Sequence, residues 1–191
     1  LTLTADESLH VVFRKDAVSD ALAIKKLVPT QVAKLDGAWT VSFQPGRGAP
    51  ASATLATLAP LSDNADAGMK QFSGIATYSK TFTAPKGWKA GQQLWIDLGE
   101  VSEMAEVKSN GKIAGAAWHA PYKIDIGDVM QKGKNSIEIR VANTWVNRLI
   151  GDAGLPKEQR ITWAAGPTYG ANAKLRPSGL IGPVTLLGQK R

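Results

Sequence analysis

Residues 94–126, LWIDLGEVSEMAEVKSNGKIAGAAWHAPYKIDI, alternate apolar and polar side chains in short bursts divided by turn signals. Leu94, Ile96 and Leu98 interleave with Trp95 and Asp97, the period-two pattern of a strand buried on one face. Ala105 and Val107 then lead into Asn110-Gly111, the dipeptide that best tolerates the positive φ angles of a two-residue hairpin turn, and Lys112 to Ala114 starts the return strand, whose pattern Gly115 ends. Trp118, His119, Pro121 and Tyr122 follow as a cluster of rings on a loop between strands. Beyond them Ile124 and Ile126 alternate with Lys123 and Asp125. Lys132 to Asn135 turns into a strand over residues 136–141 in which Ile137, Ile139 and Val141 share one face.

The pattern continues outward. Leu9, Val11 and Phe13 predict a first edge strand, and Ala21 to Val28 a second, closed by Pro29. Trp39, Val41 and Phe43 predict a strand with its rings toward the core. Gln44 to Lys70 is rich in Pro, Gly, Ala, Ser, Asp and Asn and predicts a long surface connection around one end of the fold. Ile75 to Thr83 forms a strand with Tyr78 and Phe82 on one side. Residues 143–156 read as a structured loop carrying Trp145, Asn147, Arg148 and Asp152. Arg160 to Trp163 returns briefly as a strand, residues 164–178 form another loop with Tyr169, Asn172 and Arg176, and Val184 to Leu187 closes the sheet. About nine short strands at this spacing, with no amphipathic helix beyond a turn near residues 128–131, specify an all-β chain folded as a jelly-roll β-sandwich.

Several classes are excluded by composition. With no cysteine among its 191 residues the chain has no disulfide, zinc-thiolate or cysteine nucleophile, and two histidines are too few for a histidine metal cluster. No apolar run reaches the ~20 residues that cross a bilayer. The net charge of +7 is spread along the chain rather than gathered in a block that tracks phosphates, so neither nucleic acid nor membrane is an expected partner. Glycoside hydrolysis needs two carboxyl groups ~5 to 9.5 Å apart flanking the scissile bond, and no such pair emerges. Asp97, Asp125 and Glu138 fall on the polar sides of strands, and Glu100, Glu103 and Glu106 form an exposed group.

The ordered motifs Asp97-Leu98-Gly99, Ala105-Glu106-Val107, Asn110-Gly111-Lys112 and Gly133-Lys134-Asn135 resemble the sugar-binding jelly roll of glycoside hydrolase family 2. The flanks, Phe72 to Tyr78, Trp145 to Asp152 and Ser178 to Val184, resemble the C-terminal end of glycoside hydrolase family 106, the α-L-rhamnosidases. The resemblance covers about residues 35–187. It implies a galactose-binding-like sandwich over residues 35–191, preceded by an N-terminal segment, residues 1–34, whose edge strands continue from an upstream region. It also implies a catalytic domain upstream in the same polypeptide, which Leu1 and the lack of a leader at the start also suggest, and a periplasmic or secreted bacterial protein whose signal peptide lies outside this chain. Sandwiches of this kind often hold a structural calcium, for which Asp152 or Asp128 could serve; EF-hand spacing is absent and no cofactor is assigned.

Sugar recognition is the chemistry these residues support: flat rings for pyranose C–H faces, with fixed donors and acceptors around them. The candidate carbohydrate-binding residues are Trp118, His119 and Tyr122 on one loop, Trp145, Asn147, Arg148 and Asp152 on a second, and Tyr169 on a third; no residue is assigned to catalysis. Each has a plainer alternative. Trp118 could cap the core, and Arg148 and Asp152, four apart, could pair with each other. Trp39 and Trp95 are strand residues outside the site. Two rival functions remain open: a structural domain docking on the catalytic barrel through residues 145–156 and 169–182, and a binder of acidic polysaccharide.

Overall fold

The structure is a computed structural model that describes residues 8–10, 12, 16, 29–166 and 168–188. The strands expected over residues 9–13 and 21–28 fall wholly or partly outside the described residues. Twelve strands are present among those described: β1 Thr30–Lys34, β2 Trp39–Phe43, β3 Ser52–Leu55, β4 Ile75–Thr83, β5 Trp95–Asp97, β6 Glu100–Val101, β7 Met104–Ser109, β8 Lys112–Ala117, β9 Lys123–Asp125, β10 Lys134–Ala142, β11 Leu180–Gly182 and β12 Thr185–Gly188. They form a four-stranded sheet in the order β1-β12-β5-β9, a six-stranded sheet in the order β3-β2-β4-β10-β7-β8, and a small pair, β11 with β6. Among the described residues all pairings between these strands are antiparallel, and Gly99 adds a single parallel bridge to Gly182.

The alternation read from the sequence sets which face is inside. Trp39, Val41, Tyr78, Val107, Ile137, Ile139 and Val141 from the large sheet meet Leu94, Ile96, Leu98, Ile124 and Leu186 from the small one in a single buried cluster. Burial of these side chains, each contributing ~1.5 to 3 kcal/mol when withdrawn from water, is what holds the two layers together. The outer face of the large sheet is polar. Its registers put Thr54, Thr40, Ser79, Glu138 and Lys108 in one row across five strands.

At the Asn110-Gly111 turn both residues have positive φ, 52° and 78°, which gives the right-handed twist that β7 and β8 require. Asn135, 1% exposed, closes the neighbouring loop. Its amide donates to the Gln131 and Gly133 carbonyls, and its oxygen accepts from Gln131 N and Asn110 Nδ2.

Several sequence expectations need correction. Gly115 does not end the return strand; β8 runs on to Ala117, and the ladder absorbs an irregularity where Val107 faces Gly115 and Lys108 faces Ile113. The connection from residue 44 to residue 70 contains β3 and a short helix, α1 Ala67–Lys70, started by the Asp66 side chain accepting from Met69 N at 2.8 Å. Residues 143–156, expected as loop, hold a second helix, α2 Val146–Ala153. Arg160 to Trp163 is not a strand, because the amides of Ile161 and Thr162 go to a carboxylate of α2 and not to a neighbouring chain.

Candidate functional site

Ile75, Ala142 and Met104 are aligned across β4, β10 and β7, and Phe43 and Ala117 lie one step from the same level. Five connections therefore leave the large sheet at one end: the β2–β3 turn, the entry to β4, the segment before β7, the loop after β8, and the long return after β10. All the candidate residues are carried by the last two of these.

Hydrogen bonds tie four of these connections to one another. Asn143 donates from its backbone and side-chain amides to the Gly74 carbonyl at 3.0 and 3.3 Å, and its side-chain oxygen accepts from Gly179 N at 2.6 Å. Ser102 N donates to the Gly179 carbonyl at 3.0 Å, and Tyr122 Oη donates to the Glu103 carbonyl at 3.2 Å. Gly179 is needed at this junction. It has φ +88°, and a β-carbon there would run into the Tyr78 hydroxyl and Leu61.

The eight sequence candidates separate into two groups. Trp118 is 76% exposed, so it does not cap the core, and its ring centroid lies 6.2 Å from that of His119. His119 Nδ1 sits 2.7 Å from the Ala120 carbonyl. Tyr122 is half-buried with its hydroxyl engaged, Tyr169 is half-buried, and Trp145, 41% exposed, stands at the start of α2. These residues keep ring surface toward solvent.

Asn147, Arg148 and Asp152 point inward instead. Their expected place at a ligand is corrected by burial: each is at most 4% exposed and its polar atoms serve the chain itself. Asn147 exchanges two 2.8 Å bonds with the backbone of Arg176, imitating a strand pair. Arg148 donates through Nη2 to Gln71 Oε1 at 2.9 Å, and its backbone amide donates to Ser73 Oγ. Arg148 Nε and Asp152 Oδ1 are in ion-pair contact at 3.0 Å, although the N–H is not aimed at that oxygen. Asp152 Oδ2 accepts from Ile161 N, Thr162 N and Thr162 Oγ1 at 3.0, 2.7 and 2.6 Å. One short helix thereby positions both halves of the long return loop.

Two residues that sequence reasoning passed over belong to this end. Trp163 is 86% exposed, and no periodicity marks it. Arg47, half-buried at the β2–β3 turn, places its guanidinium 4.5 Å from the Trp145 ring centroid; the glycines on either side of it, Gly46 and Gly48, were the available signal. Elsewhere, a shallow hollow of about 420 Å³ lies on the outer face of the large sheet against Thr40, Thr54, Ser79 and Glu138. The one ring beside it, Trp39, is 1% exposed and cannot stack on a ligand.

Three carboxylates are taken up in ion pairs. Asp97 pairs with Lys123 at 3.4 Å, Glu106 with Arg140 at 2.8 Å, and Asp152 is enclosed with Arg148. Among the described residues no three His, Asp or Glu side chains converge as cation ligands, and no helix is long and apolar enough to cross a membrane.

Residues 60–169 match the family model described as "Glycosyl hydrolase 2 galactose-binding domain-like". The chain belongs to that family. A rhamnosidase from Novosphingobium sp. PP1Y has a solved structure that superposes on 92% of this galactose-binding-like domain with a TM-score of 0.85 and 56% sequence identity; the match takes up 16% of that chain. A putative β-glucuronidase of Formosa agariphila is 34% identical over 185 residues, covering 84% of the domain and 16% of the relative. The β-D-glucuronidase of Dictyoglomus thermophilum, at 21% identity and a TM-score of 0.60 over 86% of the domain and 29% of that chain, shares the fold. The domain thus spans about a sixth of the length of the first two relatives.

Proposed function

We propose that this domain is the non-catalytic carbohydrate-binding, cleft-shaping module of a larger, exported α-L-rhamnosidase-like glycoside hydrolase that removes terminal rhamnose. The observation that carries this reading is the single fastened loop end that holds Trp118, Trp145 and Trp163 in water at 76%, 41% and 86% exposure. Leaving three indoles uncovered forgoes the burial that tryptophan ordinarily gains. A pyranose offers the matching apolar face and meets the polar atoms of His119 and Tyr122 at the rim. Asn147, Arg148 and Asp152 act as the frame of that platform, and Tyr169 flanks it. The 56% identity to a rhamnosidase over nearly the whole domain supports the rhamnose assignment.

A second reading rests on Trp163 with Ile161, 86% and 38% exposed on one loop: this corner packs against the catalytic domain of the same polypeptide. The two are separated by titrating the tryptophan fluorescence of the domain with L-rhamnose, D-galactose and D-glucose at two salt concentrations. Saturable binding that ignores salt and is lost in Trp118→Ala establishes a sugar platform. Silence up to ~100 mM sugar, an affinity weaker than ~1.4 kcal/mol, rejects it and leaves the docking role.

A further inference from the structure

Arg47 brings to the loop end a fixed positive charge that a neutral sugar does not neutralise. Its position is built. Gly46 and Gly48 on either side have φ +72° and +83°, and a β-carbon on Gly74 would lie 3.4 Å from the arginine stem. Gly68 approaches the turn so closely that a β-carbon there would strike the Gly48 carbonyl oxygen. The turn is tied down further by Phe43 N donating to Ala51 O and Gln44 N to Ile75 O, both at 3.1 Å. The guanidinium ends half-buried on the Trp145 indole.

An indole face attracts a cation but accepts no directed hydrogen bond, so the five N–H groups of the guanidinium still need acceptors. Among the described residues Arg47 has neither a carboxylate partner nor a hydrogen-bond acceptor. The neighbouring Arg148 differs, because Asp152 neutralises it. A cation fixed in position, partly desolvated and without a carboxylate partner among the described residues has the makings of an anion-recognition point.

We infer that Arg47 and Trp145 form a subsite for an anionic sugar, a uronic acid unit whose carboxylate meets the Arg47 guanidinium while its ring lies on the exposed part of the Trp145 indole. This rests on the reading of the loop end as sugar-binding and narrows its ligand to glycans that carry a carboxylate. A planar carboxylate can accept two parallel N–H groups of one guanidinium, which no neutral hydroxymethyl group can reproduce.

The test uses methyl β-D-glucuronide and its C6 methyl ester, which share a ring and differ in charge, with L-rhamnose as the neutral reference and acetate as a charge control. The acid should bind about tenfold tighter than the ester, as expected for a charge-assisted contact. Arg47→Gln should bring that ratio to about one with no loss of folding cooperativity, and Arg47→Lys should keep part of it. Acetate alone should not compete. Equal binding of acid and ester beside intact rhamnose binding overturns the subsite and spares the platform; an acid preference that survives Arg47→Gln also overturns it. Failure of every sugar to bind removes both.

Discussion

Replacing Asp152 by alanine should unfold the loop end and weaken the whole domain. The carboxylate is 2% exposed and leaves behind a guanidinium that is 4% exposed, so solvent does not soften the loss. Three hydrogen bonds from Ile161 and Thr162 disappear with it. Removing one partner of a buried ion pair costs ~3 to 5 kcal/mol, a large share of the ~5 to 15 kcal/mol that holds a domain folded. For a chain of this size that lowers the midpoint of thermal unfolding by ~6 to 20 °C. Urea titration followed by circular dichroism gives the free energy, and limited proteolysis shows cleavage appearing within residues 155–176. Arg148→Met combined with Asp152→Leu removes both charges together and should be less damaging than Asp152→Ala alone. A cost below ~1 kcal/mol for Asp152→Ala, or a double variant no better than the sum of its singles, would refute the view that this pair is an electrostatically closed unit.

Other outcomes follow from burial and backbone geometry. Trp118→Ala should change stability by no more than ~0.5 kcal/mol, whereas Trp39→Ala, at 1% exposure in the wild type, should cost ~3 to 5 kcal/mol by the same urea titration. Burial pushes the Tyr78 phenol up to about 12 against a lesser lowering from the Leu180 backbone. The folded value thus lies above the unfolded one of ~10, so the stability it protects is complete below pH 10 and is lost, by roughly 2 kcal/mol, as pH rises to 12. Tyr78→Phe should flatten that alkaline slope in melting experiments run between pH 9 and 12. Gly179→Ala should be destabilising by at least ~2 kcal/mol, because φ +88° and contact with the Tyr78 hydroxyl both oppose a side chain. Part of that cost should be recovered in a Tyr78→Phe background; full additivity of the two changes would contradict the contact.

The sandwich was legible because β2, β4, β5, β7 and β10 bury one face each, and period-two alternation reports that directly. The Asn110-Gly111 turn was legible because its backbone angles are accessible to few residue pairs. Helix α2 was not. Val146, Leu149, Ile150 and Ala153 do fall at helical spacing, but over one short stretch and among Asn147, Arg148 and Asp152, whose polar side chains, buried in the structure, read as a loop. β3 was hidden because only four residues, SATL, form it at a sheet edge, too few to show an alternation. The same inversion misled the site assignment. Hydrogen-bonding groups gathered in one loop invite a ligand on paper, and only packing reveals that Arg176, Gln71 and Thr162 have already used them. The exposure of Trp118 and Trp145 was legible because aromatic residues outside a strand pattern are conspicuous, while the stacking of Arg47 on Trp145 joins residues almost a hundred positions apart.

The two ends of the large sheet are built on opposite terms. The loops that bear the exposed indoles leave from one end, and the far end, where Trp88 is half-buried, is closed by the Asn110-Gly111 turn and the Asn135 hydrogen bonds, with open space around Gly87, Gly111 and Gly133. Since the chain contains no cysteine, an exposed Lys86 or Lys112 replaced by cysteine would be its single thiol. A dye, a tether or a sensor surface can then be attached at the far pole, holding every molecule in one orientation with the tryptophan-bearing pole presented to solution.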